Sequence, residues 1–395
     1  MAYSSSSNWL VEVAICATTI DDFTVTYEVF APYGSPLHNF PPKLLWAIQH
    51  YPDAAAQAQY AIGIKDFLVH WLTGEIATEP TSGPGDATWH EHVMAACGWS
   101  LDRLSPVLSP TSVAGYVRRH IAHELGLPAG LPVVIGVNDG ASATLATGAI
   151  QTGDTTITLS TNGVLRVILD AALPSQVRVD HALFNWPYLA PLWIAGGQIK
   201  AGASSLNWFA QIVDRPLEVL ITEAAASPPG CRGVLFLPYL IGRGSPHSDP
   251  SATGTFAGLT FATQRGDLVR AVLEGTAFAL RDISVDLFQL GYPPRQIRIC
   301  GGGARSALWR QIVADILAEP LSYYESDSTL GATVVAAVGL GLHQDFQKAV
   351  QSMVYPLEYM LPLTGHAERY NGLYAAFRQL RDNCSPDQRP EQQLN

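Results

Sequence analysis

Residues 297–311 read Ile297-Arg298-Ile299-Cys300-Gly301-Gly302-Gly303-Ala304-Arg305-Ser306-Ala307-Leu308-Trp309-Arg310-Gln311. Apolar residues alternate up to Cys300, which predicts a β-strand, and recur at helical spacing from Leu308, which predicts a helix with one buried face. The glycines between them would let backbone amides approach a flat or anionic ligand at the helix N-terminus. A tight turn that needs positive φ explains the same glycines. Spacing alone therefore leaves nucleotide contact and a structural turn both open.

Composition indicates a globular protein with sizeable cores. The chain has 395 residues, 48% of them hydrophobic and only 14% charged, so its length suits two domains. The formal net charge is −11. This acidic balance argues against nucleic acid or an anionic membrane as the main partner, because either would require a basic face.

The cysteines and histidines show no metal-binding pattern. Five cysteines are scattered without a CxxC pair, which favours a reducing compartment and excludes an obvious zinc site. The histidines, His247 among them, lack ligand spacing, so no metal-ligating residue is predicted. No apolar run is long enough to span a membrane, and Glu12 interrupts the apolar stretch near the N-terminus. We therefore expect a soluble, cytoplasmic protein without a membrane partner.

Strands, glycine turns and helices alternate through both halves of the chain, which predicts an α/β protein with two lobes. Alternation at 155–169 around a short polar turn predicts a β-hairpin. We place the domain boundary just before it, giving domains 1–152 and 153–395. A helix over 366–383 ends the second domain and could pack back on the first lobe.

Asp139 is the strongest acid–base candidate. It follows a strand predicted to be buried (131–137) and lies in the first turn of a helix, where the helix dipole favours an ionised carboxylate. Such a group can accept a hydroxyl proton. A structural N-cap explains the same position. In the same way, the turn at 160–163 could present amides to a phosphate or be an ordinary hairpin.

Together these segments resemble the FGGY family of carbohydrate kinases. The most specific match is Gly254–Leu259, then seven residues, then Asp267–Glu274, which fits the family's C-terminal signature at every fixed position. Residues 301–306 resemble its adenosine motif. Phe236–Tyr239 resembles its FLPYL loop, and Leu330–Ala332 resembles its late Gly-Ala helix.

The resemblance implies a two-lobed actin/hexokinase-like ATPase (ribonuclease H-like) fold and an ATP-dependent sugar kinase. Asp139 falls where the family's catalytic base lies, with Asp139 and Gly140 at the sugar. ATP and Mg²⁺ are the implied cofactors, the partner is a small sugar or sugar acid, and a homodimer is compatible with the family. The implied nucleotide contacts are Thr161, Asn162, Gly163, Gly202, Gly301, Gly302, Gly303, Ala304 and Ala307.

The sugar is less well defined. Asp139-Gly140 resembles the gluconokinase branch, whereas xylulokinases usually have Asn after the aspartate. The length of the Gly202–Trp208 span favours gluconokinase as well. Asn138 and Lys200 fit neither branch. We expect a gluconokinase (D-gluconate to 6-phosphogluconate), with xylulokinase or another FGGY sugar kinase as the alternative.

Some segments depart from the family pattern. The family's first phosphate loop, Asp-x-Gly-Thr, is not found in this sequence, and residues 1–30 contain no glycine. Ser160 replaces a glycine of the second phosphate loop, and Glu79–Gly83 replaces a usual acidic, small-residue run. We therefore expect an N-terminally incomplete first lobe. The chain would be a truncated or frameshifted product, or a non-catalytic relative that binds nucleotide or sugar.

Overall fold

The computed structural model describes residues 9–11, 40–82, 89, 91–325 and 327–384. These residues form two compact units. The first contains the described residues up to Ser142, together with Trp186–Pro191 and Ala332–Ser352. The second contains Ala143–Asn185, Leu192–Gly331 and the described residues from Met353 onward. The expectations about residues 1–30 fall outside the described residues, apart from 9–11.

The first half of the chain forms short elements. They are β1 (Trp9–Val11), α1 (Phe40–His50), α2 (Pro52–Gln57), β2 (Tyr60–Ile62), α3 (Ile64–Thr73), α4 (Glu91–Ala96), β3 (Val113–Tyr116), α5 (Arg119–Leu125), β4 (Pro132–Val134) and α6 (Asp139–Leu145). Strand β1 pairs with β2 in parallel, and β3 pairs with β4 in antiparallel. The prediction of a buried strand over 131–137 is wrong in two respects: β4 has three residues, and all three are only half-buried.

The second half contains the longer elements. They are β5 (Asp154–Leu159), β6 (Gly163–Leu169), α7 (Ser175–Asp180), β7 (Phe184–Pro187), β8 (Trp193–Ile199), α8 (Ala203–Val213), α9 (Leu217–Ala226), β9 (Leu235–Leu237), β10 (Thr255–Ala257), α10 (Arg265–Gln289), β11 (Arg295–Cys300), α11 (Ala307–Leu317), β12 (Leu321–Tyr323), α12 (Ser328–Gly339), α13 (Phe346–Met353), β13 (Glu358–Met360) and α14 (His366–Asn383). The predicted hairpin is confirmed as β5 and β6, and the predicted strand–turn–helix as β11 and α11.

One mixed sheet of seven strands organises the second unit, in the order β13-β12-β11-β5-β6-β8-β7. Strand β11 runs parallel to both β12 and β5. Strand β6 runs antiparallel to both β5 and β8. The carboxyl ends of β5, β11 and β12 therefore meet at one edge of the sheet, which is where α/β proteins commonly place their ligands.

Helix α10 is the central helix of the second unit. Gln264 and Asp267 form a reciprocal capping box at its start, and most of its 25 residues are buried. Gly275 lets α10 lie against β9, because a Cβ there would come within 2.1 Å of the carbonyl oxygen of Phe236. The start of α10 carries the second half of the FGGY-like signature, so that segment lies in the core.

The end of the chain packs inside the second unit. Helix α14 contacts α10 and α11, and Tyr370 and Phe377 on it are fully buried. The packing of this helix on the first lobe and the domain boundary at 152/153 both stay predictions. Among the helices that the structure describes, none combines the length and apolarity needed to cross a membrane.

Candidate active site

In the glycine turn after β11, two glycines are closely packed and one faces open space. Gly301 has a φ of +98°, and a Cβ there would lie 2.6 Å from the carbonyl oxygen of Leu159. A Cβ at Gly303 would lie 2.8 Å from Cγ of Leu159. No described atom comes within 4 Å of a Cβ built on Gly302. Packing therefore explains Gly301 and Gly303, whereas Gly302 faces space that a ligand can occupy.

Side chains at the start of α11 hold this turn in place. The hydroxyl of Ser306 accepts a hydrogen bond from the backbone N–H of Trp309 at 3.3 Å and caps the helix. Arg310 donates to the carbonyl oxygen of Ala304 at 2.7 Å, and its guanidinium lies 4.1 Å from the ring centre of Tyr323. The turn is thus fixed to both α11 and β12.

A cavity of about 330 Å³ opens beside the turn. It is lined by Gly301, Gly302, Arg305, Tyr323, Tyr324, Glu325, Asp327 and Leu330. Burial raises the pKa of Tyr323 and of Tyr324, so both remain neutral phenols at physiological pH. Flat rings beside a bare backbone suit an aromatic ligand such as a purine base.

No sequence pattern predicted a role for the tyrosines and acidic residues of this wall. Their position depends on the pairing of β12 beside β11, in which Tyr323 is opposite Ile299. A strand of three residues carries little periodicity, so the available signal was only the short apolar run after α11.

The β5–β6 turn and Gly202 lie against each other. The carbonyl oxygen of Thr161 accepts hydrogen bonds from the backbone N–H of Gly202 at 2.8 Å and from the hydroxyl of Ser204 at 2.7 Å. A Cβ on Gly202 would come within 2.3 Å of the carbonyl carbon of Asn162 and 2.5 Å of the nitrogen of Gly163. The N-terminus of α8 therefore lies directly on the hairpin tip.

The predicted nucleotide residues share one sheet edge without all facing the cavity. Strands β5 and β11 pair in parallel up to Thr158 and Cys300, so the hairpin tip and the glycine turn follow adjacent strand ends. Gly301 and Gly302 line the cavity, and Ala307 is exposed at the start of α11. Ala304, like Gly303, is buried. These roles stay predictions.

Asp139 lies in the first turn of α6, but it is not the residue that caps the helix. The side-chain oxygen of Asn138 accepts from the backbone N–H of Ala141 at 2.7 Å, which is the usual N-cap bond. The carboxylate of Asp139 is exposed and accepts from the N–H of Gly140 at 2.7 Å. The interpretation of Asp139 as a structural N-cap is therefore wrong, and its carboxylate faces solvent.

A buried polar chain fixes Asn138. Its backbone N–H donates to the hydroxyl of Thr81, and its side-chain amide donates to the carbonyl oxygen of Thr81, both at 2.7 Å. Thr81 in turn donates its backbone N–H to fully buried Glu79 at 2.6 Å, and Lys65 lies 3.3 Å from the same carboxylate. Glu79 and Thr81, which lie in a segment that departs from the family pattern, thus position the start of α6.

Comparison with known proteins settles the family. Residues 28–146 match the N-terminal domain of the FGGY family of carbohydrate kinases, and residues 155–340 match its C-terminal domain. The chain belongs to the FGGY family. It is therefore a carbohydrate kinase, which is a phosphotransferase. The solved structures that it resembles confirm the expected fold class.

The relatives of this FGGY kinase include gluconokinases and xylulose kinases. A gluconokinase from Bacillus licheniformis is 29% identical over 375 residues, which is 89% of this chain and 72% of the relative. A xylulose kinase from Klebsiella pneumoniae is 30% identical over 328 residues, 80% of this chain and 67% of the relative. A crystal structure of gluconate kinase from Lactobacillus acidophilus has a TM-score of 0.81 at 28% identity and covers 90% of this chain and 75% of that one.

In this FGGY kinase the acidic residues of the signature are structural. Burial tends to raise the pKa of Asp267, but hydrogen bonds from Ser227 and from the N–H of Gln264, with the nearby cation of Arg232, outweigh it and lower that pKa.

Glu274, the last residue of the signature, is also fully enclosed. Its carboxylate accepts from Arg270 and from the hydroxyl of Tyr370, both at 2.7 Å, and from the N–H of Gly230 at 3.0 Å. These bonds tie α10 to α14 and to the turn before β9. The signature therefore marks a buried helix start rather than the reacting groups.

Proposed function

We propose that this FGGY kinase transfers the γ-phosphoryl group of ATP to a hydroxyl of D-gluconate, forming 6-phosphogluconate, with Asp139 as the general base. The observation that carries the proposal is that the carboxylate of Asp139 is exposed. Because Asn138 supplies the helix cap, the carboxylate of Asp139 is left exposed in the first turn of α6. A carboxylate held there by a rigid chain can accept a proton from a bound hydroxyl.

The proposed reaction combines a proton transfer to Asp139 with a phosphoryl transfer from ATP. Asp139 takes the proton of the sugar hydroxyl as the hydroxyl oxygen forms a bond to the γ-phosphorus. The bond from the γ-phosphorus to the bridging oxygen breaks, and ADP leaves with that electron pair. Catalysis of this kind is mainly positioning and electrostatic stabilisation, to which backbone amides at a helix N-terminus contribute. Gly140, next to the base, is proposed to contact the sugar.

The second unit fits a nucleotide. Its cavity of about 330 Å³ lies within the usual size range of small-molecule sites, about 300–1,000 Å³. Gly302 presents backbone without a side chain at its wall. We propose that the adenosine end lies there and that the turn Thr161–Gly163, with Gly202, contacts phosphate. ATP supplies the phosphoryl group, and Mg²⁺ would neutralise its charge; no residue of this chain is proposed as the Mg²⁺ ligand.

Gluconate is favoured over xylulose by the pair Asp139-Gly140 and by the length of the Gly202–Trp208 span. A gluconokinase of Bacillus licheniformis is among the relatives of this chain. Xylulose is the alternative substrate, because xylulose kinases are similar to this chain at nearly the same identity. We further propose that the enzyme works in the cytoplasm, where ATP is available, and that it forms a homodimer.

One observation favours a second candidate function, nucleotide binding without turnover. The motif Asp-x-Gly-Thr, which forms the first phosphate loop of the family, does not occur in the 395 residues. A polypeptide without that loop would retain the adenosine side of the site and lose efficient phosphoryl transfer.

A coupled ADP-release assay with gluconate, xylulose and related polyols tests both candidates. We expect gluconate to raise ADP release well above the rate with ATP alone. Binding without turnover would instead leave ADP release unchanged with every sugar, while ADP still raises the melting temperature. A response to xylulose alone would contradict the proposed substrate and keep the kinase.

A further inference from the structure

Two histidines and one aspartate converge in the second unit, on residues that the proposed reaction does not use. His181 directly follows α7, His247 lies in the loop between β9 and β10, and Asp286 lies near the end of α10. One possible ligand atom from each lies within 4.8 Å of the others. We propose that these three side chains form a binding site for a divalent transition-metal ion such as Zn²⁺.

His181 and Asp286 already form one half of this site. Nδ1 of His181 lies 2.8 Å and 3.0 Å from the two carboxylate oxygens of Asp286. Ligand atoms around a tetrahedral Zn²⁺ lie about 3.4 Å apart, because each bond is about 2.0–2.1 Å long. An ion can therefore take the place of the shared proton after a small separation of the two groups. His181 then binds the ion through Nδ1 as the neutral tautomer with its proton on Nε2, because a histidine ligand must be neutral.

His247 makes a hydrogen bond of the kind that metal-binding histidines make. Its Nδ1 lies 3.2 Å from the carbonyl oxygen of Asp180, and because a carbonyl only accepts, Nδ1 carries a proton. In the neutral imidazole, Nε2 is then the nitrogen with the lone pair that binds an ion. Metal-binding histidines typically donate their second ring nitrogen to a carbonyl or carboxylate in this way. The ring centres of His181 and His247 are 5.5 Å apart.

The backbone around His247 is held in an unusual conformation. Its φ is +59°, a left-handed value that a residue other than glycine adopts at a cost. Arg243 donates from Nε to the carbonyl oxygen of His247 at 2.8 Å, and the hydroxyl of Ser245 donates to the carbonyl oxygen of Ala182, beside His181. These bonds keep the loop next to α7 before any ion binds.

The donor set and exposure indicate the class of ion. Two imidazoles and one carboxylate suit Zn²⁺ and related ions, whereas Mg²⁺ prefers oxygen ligands. Asp286 is nearly enclosed, with 10% of its side chain exposed, His181 is 26% exposed and His247 is exposed. The ion can thus enter from solvent and keep water in its open positions. The spacing of residues 181, 247 and 286 along the chain explains why no sequence pattern revealed the site.

Calorimetric titration of the chelator-treated, full-length chain with Zn²⁺, in excess Mg²⁺, tests the proposal. We expect one Zn²⁺ per chain and a rise in melting temperature, since the ion joins three segments of the folded state. His247→Ala, which changes an exposed side chain, and Asp286→Asn, which keeps an acceptor for His181, should each weaken Zn²⁺ binding at least about 10–100-fold.

His123→Ala is the matched control. His123 and His120 are exposed one turn apart on α5 and form a histidine pair that could compete for the ion. The control should bind Zn²⁺ like the wild type. Absence of stoichiometric binding, retention of binding in both site variants, or its loss in His123→Ala would each overturn the proposal. None of these results depends on kinase turnover.

Discussion

Substitutions at two neighbouring glycines can distinguish a structural role in the turn from contact with the nucleotide. Gly301 and Gly302 both line the cavity beside α11, but only Gly301 is held by packing and by a φ of +98°. Gly302 has a φ of −60° and a ψ of −39°, which alanine adopts without strain. We expect Gly301→Ala to damage the fold and Gly302→Ala to damage nucleotide binding alone.

The structure gives the size of each effect. At Gly301 a left-handed alanine costs about 1–2 kcal/mol, and relieving a Cβ that lies 2.6 Å from the carbonyl oxygen of Leu159 costs about 1–3 kcal/mol more. The free energy of unfolding should therefore fall by about 2–5 kcal/mol. At Gly302 the reduced freedom of the unfolded chain should leave stability unchanged or raise it by about 0.4–1 kcal/mol.

Urea unfolding measures the first quantity, and titration with ADP, followed by calorimetry, measures the second. Gly302→Ala should keep wild-type stability and bind ADP at least about tenfold more weakly, because its methyl group enters the space proposed for the nucleotide; tenfold corresponds to about 1.4 kcal/mol. Wild-type ADP affinity in Gly302→Ala would show that this residue does not face the nucleotide. Wild-type stability in Gly301→Ala would refute the argument from close packing.

Three further predictions concern residues that support the site. Asn138→Ala removes the cap of α6 and should lower the free energy of unfolding by about 0.5–2 kcal/mol in urea, whereas Asp139→Asn should leave it unchanged. Glu274→Gln leaves buried Arg270 without its charge partner and should cost about 3–5 kcal/mol, measured in the same way; a cost below 1 kcal/mol would contradict the account. Because its pKa is lowered in the folded state, Asp267 contributes stability that is present above about pH 4 and is lost as the pH falls through its folded pKa. The stability curves of wild type and Asp267→Asn should therefore converge below about pH 4, and parallel curves would contradict this.

The longer elements could be predicted because their signals are local. The helix α11 starts at a serine that caps it and repeats its apolar residues at helical spacing, so Ile312 and Ile316 are buried as expected. The hairpin β5–β6 alternates on both sides of a polar turn, and α14 matches the predicted helix over 366–383. In each case the residues that specify the element lie inside it.

The site itself depends on residues that are distant in sequence. Asn138 and Asp139 are both good capping residues, and the choice between them is fixed by Thr81, which is 57 positions away and bonds Asn138. The tyrosines of the cavity wall depend on the pairing of β12 with β11. Such contacts are tertiary, and no periodicity within one element encodes them.

The central claim, that Asp139 is the base of a gluconate kinase, is tested most directly by kcat/KM for gluconate in the wild type and in Asp139→Asn. Asparagine keeps the size of the side chain and removes the basic carboxylate. We predict phosphorylated gluconate from the wild type, and a loss of at least about 10²-fold in kcat/KM for the variant with unchanged ADP affinity and stability. Equal kcat/KM for both proteins, or no phosphorylated product from the wild type with any sugar, would contradict the account.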